Sequence, residues 1–283
     1  MPAPFHPLIA LNDYKNITAD ISDIAKGLLM AFYKISYKKQ LSGKIRYGQN
    51  HYDFNEGGMS FISPNQLIAE DENNGECDGL TLLIHPDFFQ GYPLAAKIKN
   101  YGFFSYSANE ALQLSEQEKE IILNIFKNIQ HELEQHIDHF THDVIISQVE
   151  LLLNYSNRFY SRQFITRKVV NNDVLTQMEL LLDSHFNANQ GLQNGLPTVN
   201  YLAEQLNVSS SYLSDLLRNL TGLNAQQHIH QKLIEKAKEY LTTGNLSVAE
   251  IAYQLGFEHP QSFNKIFKRK TSLTPVAFKE SLN

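Results

Sequence analysis

The stretch IAYQLGFEHPQSFNKIFKRKTSLTP, Ile251 to Pro275, sets Lys265, Lys268, Arg269 and Lys270 around two phenylalanines near the carboxyl end of the chain. A second stretch, LAEQLNVSSSYLSDLLRNLTG, Leu202 to Gly222, reads as another version of it. Leu202, Ala203, Leu206 and Val208 fall over Ile251, Ala252, Leu255 and Phe257 at an offset of 49 residues. Past the turn the offset becomes 50, with Leu213, Leu216, Leu217, Arg218 and Thr221 over Phe263, Ile266, Phe267, Lys268 and Thr271. Two copies of one helix-turn-helix, the second with an extra turn residue, account for this pattern. The turn chemistry agrees. Asn207 ends one helix and Ser209 or Ser210 caps the next, while Gly256 suits a left-handed helix end and Pro260 a first helical turn.

On a helical wheel Phe263, Ile266 and Phe267 share one side, which leaves Gln261, Asn264, Lys265 and Lys268 on the other. In the first copy Leu213, Leu216, Leu217 and Leu220 point inward, and Ser211, Ser214, Asp215 and Arg218 point outward. A polar helix face alone is usually just solvated. Here the outward positions correspond one to one between copies, so the repeat keeps a presented surface as well as a core. A helix fits the DNA major groove, where Gln, Asn, Lys and Arg read base edges and Ser meets bases or phosphates. Asp215 would repel phosphate, which leaves it to accept from cytosine or to contribute little. Between the copies, Ala225 to Leu241 carries an apolar stripe of Ile229, Leu233, Ala237 and Leu241. As a helix it would span about 25 Å, a spacer suited to two successive major grooves.

The segment from about Val174 to Asn283 resembles the DNA-binding domain of the AraC/XylS family of bacterial transcription regulators. The most specific match is the second copy, with its I-A, L-G-F, buried aromatic, F-K and terminal T-P. Ser272 stands where the family usually has glycine, and Lys232 where it often has arginine. The resemblance implies a transcription factor whose two reading helices enter adjacent major grooves, the second supplying most of the affinity. It also implies an amino-terminal cupin-like β-barrel that senses a small molecule, followed by helices used for dimerisation.

Composition bounds the rest. The 283 residues suggest two domains, and 42% hydrophobic with 19% charged residues is ordinary for folded chains. The net charge of −6 argues against nucleic acid when taken alone, and residues 171–283 balance 9 basic against 10 acidic side chains. DNA binding must therefore rest on local placement of charge. The single cysteine, Cys77, excludes an intramolecular disulfide within the chain. Neither a leader pattern nor an apolar run of membrane-spanning length is visible, so the cytoplasm is the expected compartment.

From about Phe32 to Ile84 apolar and polar residues alternate between Gly, Asn and Pro turns, which predicts a small antiparallel β-structure. Asp71 to Gly79 reads as a polar hairpin loop. Ser115 then begins helical spacing through Ile121, Ile122, Ile125, Phe126, Ile129, Leu133 and Ile137, and a second helix follows from about His142 to Phe159. The expected fold class is α+β: a sensing domain over 1–115, a dimerising helical pair over 116–160, a linker over 161–173, and the DNA-binding domain over 174–283.

An enzyme finds little support. GMSFISP, Gly58 to Pro64, resembles a cupin metal motif, but Ala69 occupies its histidine place and His51, Asp53 and Glu56 are the nearest substitutes. His136, His139 and His142 recur every three residues near a helix end; a zinc site there is a weaker reading than solvated histidines. Tyr47, Tyr52, Phe54 and Phe61 could line a ligand-holding interior, although alternating aromatics are more often core. No cofactor or metal is expected. Expected partners are promoter DNA, a small-molecule effector, a second copy of the chain and RNA polymerase, with no membrane. A metal-dependent cupin enzyme and a DNA-binding regulator whose amino-terminal half only dimerises stand as alternatives.

Overall fold

A computed structural model describes residues 6–16, 28–41, 45–47, 50–52, 57–68, 77–107, 110–135, 138–166, 168–187, 191–243 and 246–281, some strand and helix-end residues by backbone alone. The chain is α+β and divides into two compact units, Met1–Thr166 and Arg167–Asn283.

In the first unit, strands β1 (Ile9–Asp13), β2 (Leu28–Leu29), β3 (Tyr33–Leu41), β4 (Ile45–Tyr47), β5 (Asn50–Tyr52), β6 (Gly58–Ile62), β7 (Leu67–Ile68), β8 (Cys77–Ile84) and β9 (Leu112–Gln113) pair antiparallel. Five of them form one sheet in the order β1-β8-β3-β6-β9, beside two-stranded ribbons β2-β7 and β4-β5. Register follows the two-residue period of the side chains. Ile35 lies across from Phe61 on one side and Leu82 on the other, and all three are buried. On the opposite face Ser36 lies across from Thr81; their hydroxyls meet at 3.2 Å, and Tyr14 donates to Ser36 at 2.8 Å.

The apolar face of the sheet meets an aromatic layer. Phe61 lies 4.5 Å from Phe103 between ring centroids, Tyr33 lies 5.0 Å from Phe104, and Phe103 lies 5.5 Å from Tyr160. Burying each such ring contributes about 1.5–3 kcal/mol. Phe61, a candidate for lining a ligand space whose simpler reading is core, is packed into the core. Tyr47, Tyr52 and Phe54, and the loop residues 71–76, lie outside the described side chains. The segment supplying Phe103 and Phe104 carries no period of 2 or 3.6, because it is built from short 3-10 turns around α1 (Leu94–Lys97).

Helix α2 (Glu116–Glu134) starts at a capping box, Ser115 with Glu118, and buries Ile122, Ile125, Phe126, Ile129 and Leu133. Helix α3 (Thr141–Thr166) packs beside it. Residues 161–166 were expected to be linker, and they are the last turns of α3. The physical reason lies in two polar residues with structural tasks. Arg162 donates to both oxygens of Glu118, at 3.1 and 2.6 Å, and to the Gln113 carbonyl at 2.7 Å. Gln163 is buried, accepting from Gln113 N–H at 2.8 Å and donating to the Ala111 carbonyl at 3.3 Å. Polar residues on the inward face blur the period without ending the helix. Residues 168–173 are likewise helical, as the start of α4 (Lys168–Asn187) in the second unit.

The second unit continues with α5 (Gly191–Asn194), α6 (Val199–Gln205), α7 (Ser210–Thr221), α8 (Ala225–Thr243), α9 (Val248–Gln254), α10 (Pro260–Thr271) and α11 (Pro275–Glu280). Helix α8 is the spine, burying Ala225, Ile229, Leu233, Ala237 and Leu241. Helix α4 joins it through Met178, Leu182 and Phe186 in the core, with a 2.5 Å ion pair from Lys232 to Asp183. Lys232, the departure from the expected arginine, therefore ties two helices together. The two glycines flanking α5 touch the second helix pair. A Cβ on Gly191 would lie 2.5 Å from the Gln254 carbonyl oxygen, and one on Gly256 would lie 2.6 Å from the Gly195 carbonyl carbon. Only glycine permits backbones this close. Among the described residues no helix is long and apolar enough to cross a membrane.

Candidate nucleic-acid interface

The two pairs, α6–α7 and α9–α10, share their helix lengths and the bonds of their turns and helix ends, while their amino-terminal caps differ. Thr198 caps α6 by accepting from Tyr201 N–H, and Ser247 caps α9 by accepting from Glu250 N–H. Each first helix has 7 residues and each second helix 12. In the turns, Val208 N–H donates to the Ala203 carbonyl and Phe257 N–H to the Ala252 carbonyl, both at 3.0 Å. Asn207, with φ of 55°, and Gly256, with φ of 95°, hold the same left-handed place. The second turn does carry one more residue, between Gln254 and Pro260. Ser209, not Ser210, is the cap of α7, while Ser210 donates to Asn200 Oδ1 at 2.6 Å and fastens α7 to α6.

The likeness runs further than the sequence comparison reached. Thr221 and Thr271 each donate back to the carbonyl four residues earlier, at 2.9 Å. Gly222 and Ser272 both take the left-handed end position, with φ of 81° and 65°. Asn224 and Thr274 then receive N–H groups at the start of α8 and α11, where Ala225 and Pro275 are buried. The signal was present in LTGLNA against KTSLTP: the offset of 50 persists across it.

The inward faces are dry: Leu213, Leu216 and Leu217 in α7, Phe263 and Phe267 in α10. Phe263 lies 5.6 Å from both Phe257 and Phe267, and Phe267 lies 5.6 Å from Phe278. Fixed this way, each second helix turns a defined polar face outward.

The two outward faces differ in charge and in depth. On α7, Ser211, Ser214 and Asp215 are half-buried and Arg218 is exposed. Arg218 Nη1 donates to Asp215 Oδ1 at 2.6 Å, a pairing that i,i+3 spacing makes available on one helix face. On α10, Gln261, Asn264, Lys265 and Lys268 are all exposed. None of these four has an ion-pair or hydrogen-bond partner among the described residues. Arg269 and Lys270 continue the exposed basic ridge at the helix end. Its field reaches α8, where His230 is held below the ordinary histidine range by burial first and then by Lys270 and Arg269. His228 is lowered by burial against the opposing pull of Glu179. Both shifts favour the neutral imidazole.

In the first unit, His142 Nε2 lies 2.7 Å from the Phe88 carbonyl, and the His139 ring meets that of Phe140 at a tilt of 42°. The two histidines do not converge, and His136 lies outside the described residues. Among the described residues no group of three His, Cys, Asp or Glu could hold a metal ion. The side chains of His51, Asp53 and Glu56 are outside them. A cleft of about 320 Å³ opens near Leu11, Asp13, Leu80, Gln130 and Glu134. Its polar groups are partly engaged with each other, Gln130 donating to Glu134 at 2.8 Å.

A family model described as a helix-turn-helix domain matches residues 202–281. The chain is 33% identical over 84 residues to the Msm operon regulatory protein of Streptococcus mutans, covering 30% of each chain. It is 29% identical over 113 residues to the HTH-type transcriptional activator RhaR of an Enterobacter species, covering 40% of each. The chain thus spans less than half the length of these curated relatives. Among solved structures it is similar to the C-terminal domain of the two-component response regulator yesN from Fusobacterium nucleatum, at 31% identity, with 38% of this chain and 98% of that one covered and a TM-score of 0.34.

Proposed function

We propose that the chain, whose residues 202–281 match a helix-turn-helix family model, is a non-enzymatic, sequence-specific DNA-binding transcription regulator of the AraC/XylS family. One observation carries this reading: two helix pairs alike in helix length, turn bonds and helix-end geometry present polar faces in the same register, from helices whose opposite sides are locked in a core. Helices α7 and α10 would each enter a major groove, and α8, spanning about 28 Å, would set their spacing toward successive grooves. The DNA-facing residues are Ser211, Ser214, Asp215 and Arg218 on α7, with Gln261, Asn264, Lys265 and Lys268 on α10. Selection of binding sites from a random duplex library by the full chain tests this. A recovered site whose affinity falls steeply with salt is expected, and binding that ignores sequence would reject it.

For the amino-terminal unit we propose a cupin-like regulatory domain over 1–115 and a dimerising helical pair over 116–160. Phe140, Val144 and Leu151 are exposed on and beside α3, and this apolar face supports a second copy as partner. A small-molecule effector and RNA polymerase remain part of the reading. The filled aromatic layer around Phe61 favours the version in which this unit dimerises without sensing. Thermal-shift screening of the full chain separates the two, because an effector selective for the folded state raises Tm.

A further inference from the structure

We propose that Asp215 is a positioning residue and not a base reader: its carboxylate holds the Arg218 guanidinium ready for a guanine, so that α7 supplies sequence discrimination while α10 supplies most of the charge-driven affinity. This rests on the reading of α7 and α10 as DNA-contacting helices.

Depth is the first argument. The Asp215 side chain is 25% exposed and that of Arg218 is 55% exposed, so a base edge approaching α7 meets the guanidinium before the carboxylate. The second is donor count. A guanidinium has five N–H groups in a planar fork, and the 2.6 Å contact engages Nη1. The remaining edge can still meet guanine O6 and N7 together, the commonest specific contact in the major groove. The third is order. A long side chain already held in one geometry loses less freedom when it binds, and a fork gains more from this than a point charge does.

An exposed ion pair on a helix contributes little to folding, so stability is a poor reason for this one. Its electrostatic effect is clearer. The pair sums to zero charge and releases few counterions from DNA, whereas Lys265 and Lys268 at the matching places of α10 are two unpaired ammonium groups. An ammonium lacks the planar fork and suits phosphate or a single acceptor. The repeat thus divides recognition between a neutral, oriented reader and a cationic anchor.

The test uses the full chain and the duplex selected by the wild type, with every single-base change in that duplex and a scrambled duplex, titrated at several salt concentrations. For Asp215→Asn we expect the specific-to-scrambled affinity ratio to fall by about 10-fold at one guanine position, with tighter scrambled binding and a salt slope steeper by up to ~0.9. Arg218→Ala should flatten the same guanine position, and Asp215→Glu should restore part of the preference. Circular dichroism of each variant at the titration temperature excludes a folding defect, and Lys265→Ala should weaken all duplexes alike. An unchanged base profile in Asp215→Asn, or a lost cytosine preference instead, overturns the inference and leaves the DNA-binding reading intact. A wild type that selects no sequence overturns both.

Discussion

The two helix pairs share a backbone plan and differ in nearly every choice laid over it. The first packs leucines inward, ends α7 on a glycine, caps α6 with a lone threonine, and presents a charge-neutral face. The second packs phenylalanines, ends α10 on a left-handed serine, caps α9 with a full capping box, and presents a cationic face. The lesson is that the hydrogen-bond scaffold, repeated through the turns and at the helix ends, is separable from the chemistry it displays. One copy can change its charge without disturbing its turn.

The comparison can be broken hardest at the cores. Phe263→Ala should cost about 3–5 kcal/mol and Leu213→Ala about 2–5 kcal/mol, read from urea unfolding followed by circular dichroism. Equal loss of DNA binding at temperatures where each variant stays folded would deny the pairs separate roles. At the surface, removing Lys265 and Lys268 together should weaken operator and scrambled duplexes alike and flatten the salt slope by up to ~1.8. Arg218→Ala removes one charge against two and leaves the Asp215 carboxylate unpaired, so it should flatten the slope by no more than ~0.9. Fluorescence anisotropy across a salt series measures both.

The helix ends offer a smaller contrast of opposite signs. Ser272 occupies a conformation that costs an L-residue roughly 1–2 kcal/mol, so Ser272→Gly should stabilise the second unit by about 1 kcal/mol while Gly222→Ala destabilises it by a similar amount. At the caps, Ser247→Ala should cost about 1 kcal/mol. Glu250 is held below the ordinary carboxylate value of 4.5, first by the Ser247 hydrogen bond to its side chain and then by the backbone bond. Its contribution is therefore present above that value and lost as pH falls through the lowered one. Glu250→Gln should remove that acid-dependent increment, a comparison the first pair lacks because Tyr201 stands at the equivalent place.

What the sequence disclosed followed periodicity. Both helix pairs, the spacer stripe and α2 are legible because apolar residues recur every three or four places with caps at their ends. Residues 161–173 escaped because Arg162 and Gln163 are polar yet turned to structural use, and a pattern of burial written in polar residues has no period to read. Strand β1 escaped for a different reason: its five residues gain their partner from β8, far along the chain, where no local signal reaches. The outward faces were visible on a wheel, and the Asp215–Arg218 pairing could have been found from their i,i+3 spacing. Their difference in depth could not, because it depends on how far each side chain sinks between neighbours.

The close approach of Gly191 and Gly195 to Gln254 and Gly256 has a consequence for the order in which the domain can be completed. On a ribosome the seat emerges first, and the helix that fits it arrives only after the spine of α8 has been made. Domains tend to fold as units from the amino end during synthesis, yet here the earliest residues of the unit must wait for nearly the last. The cationic pair closes the domain, and a nascent chain acquires its full positive face only once α10 has emerged.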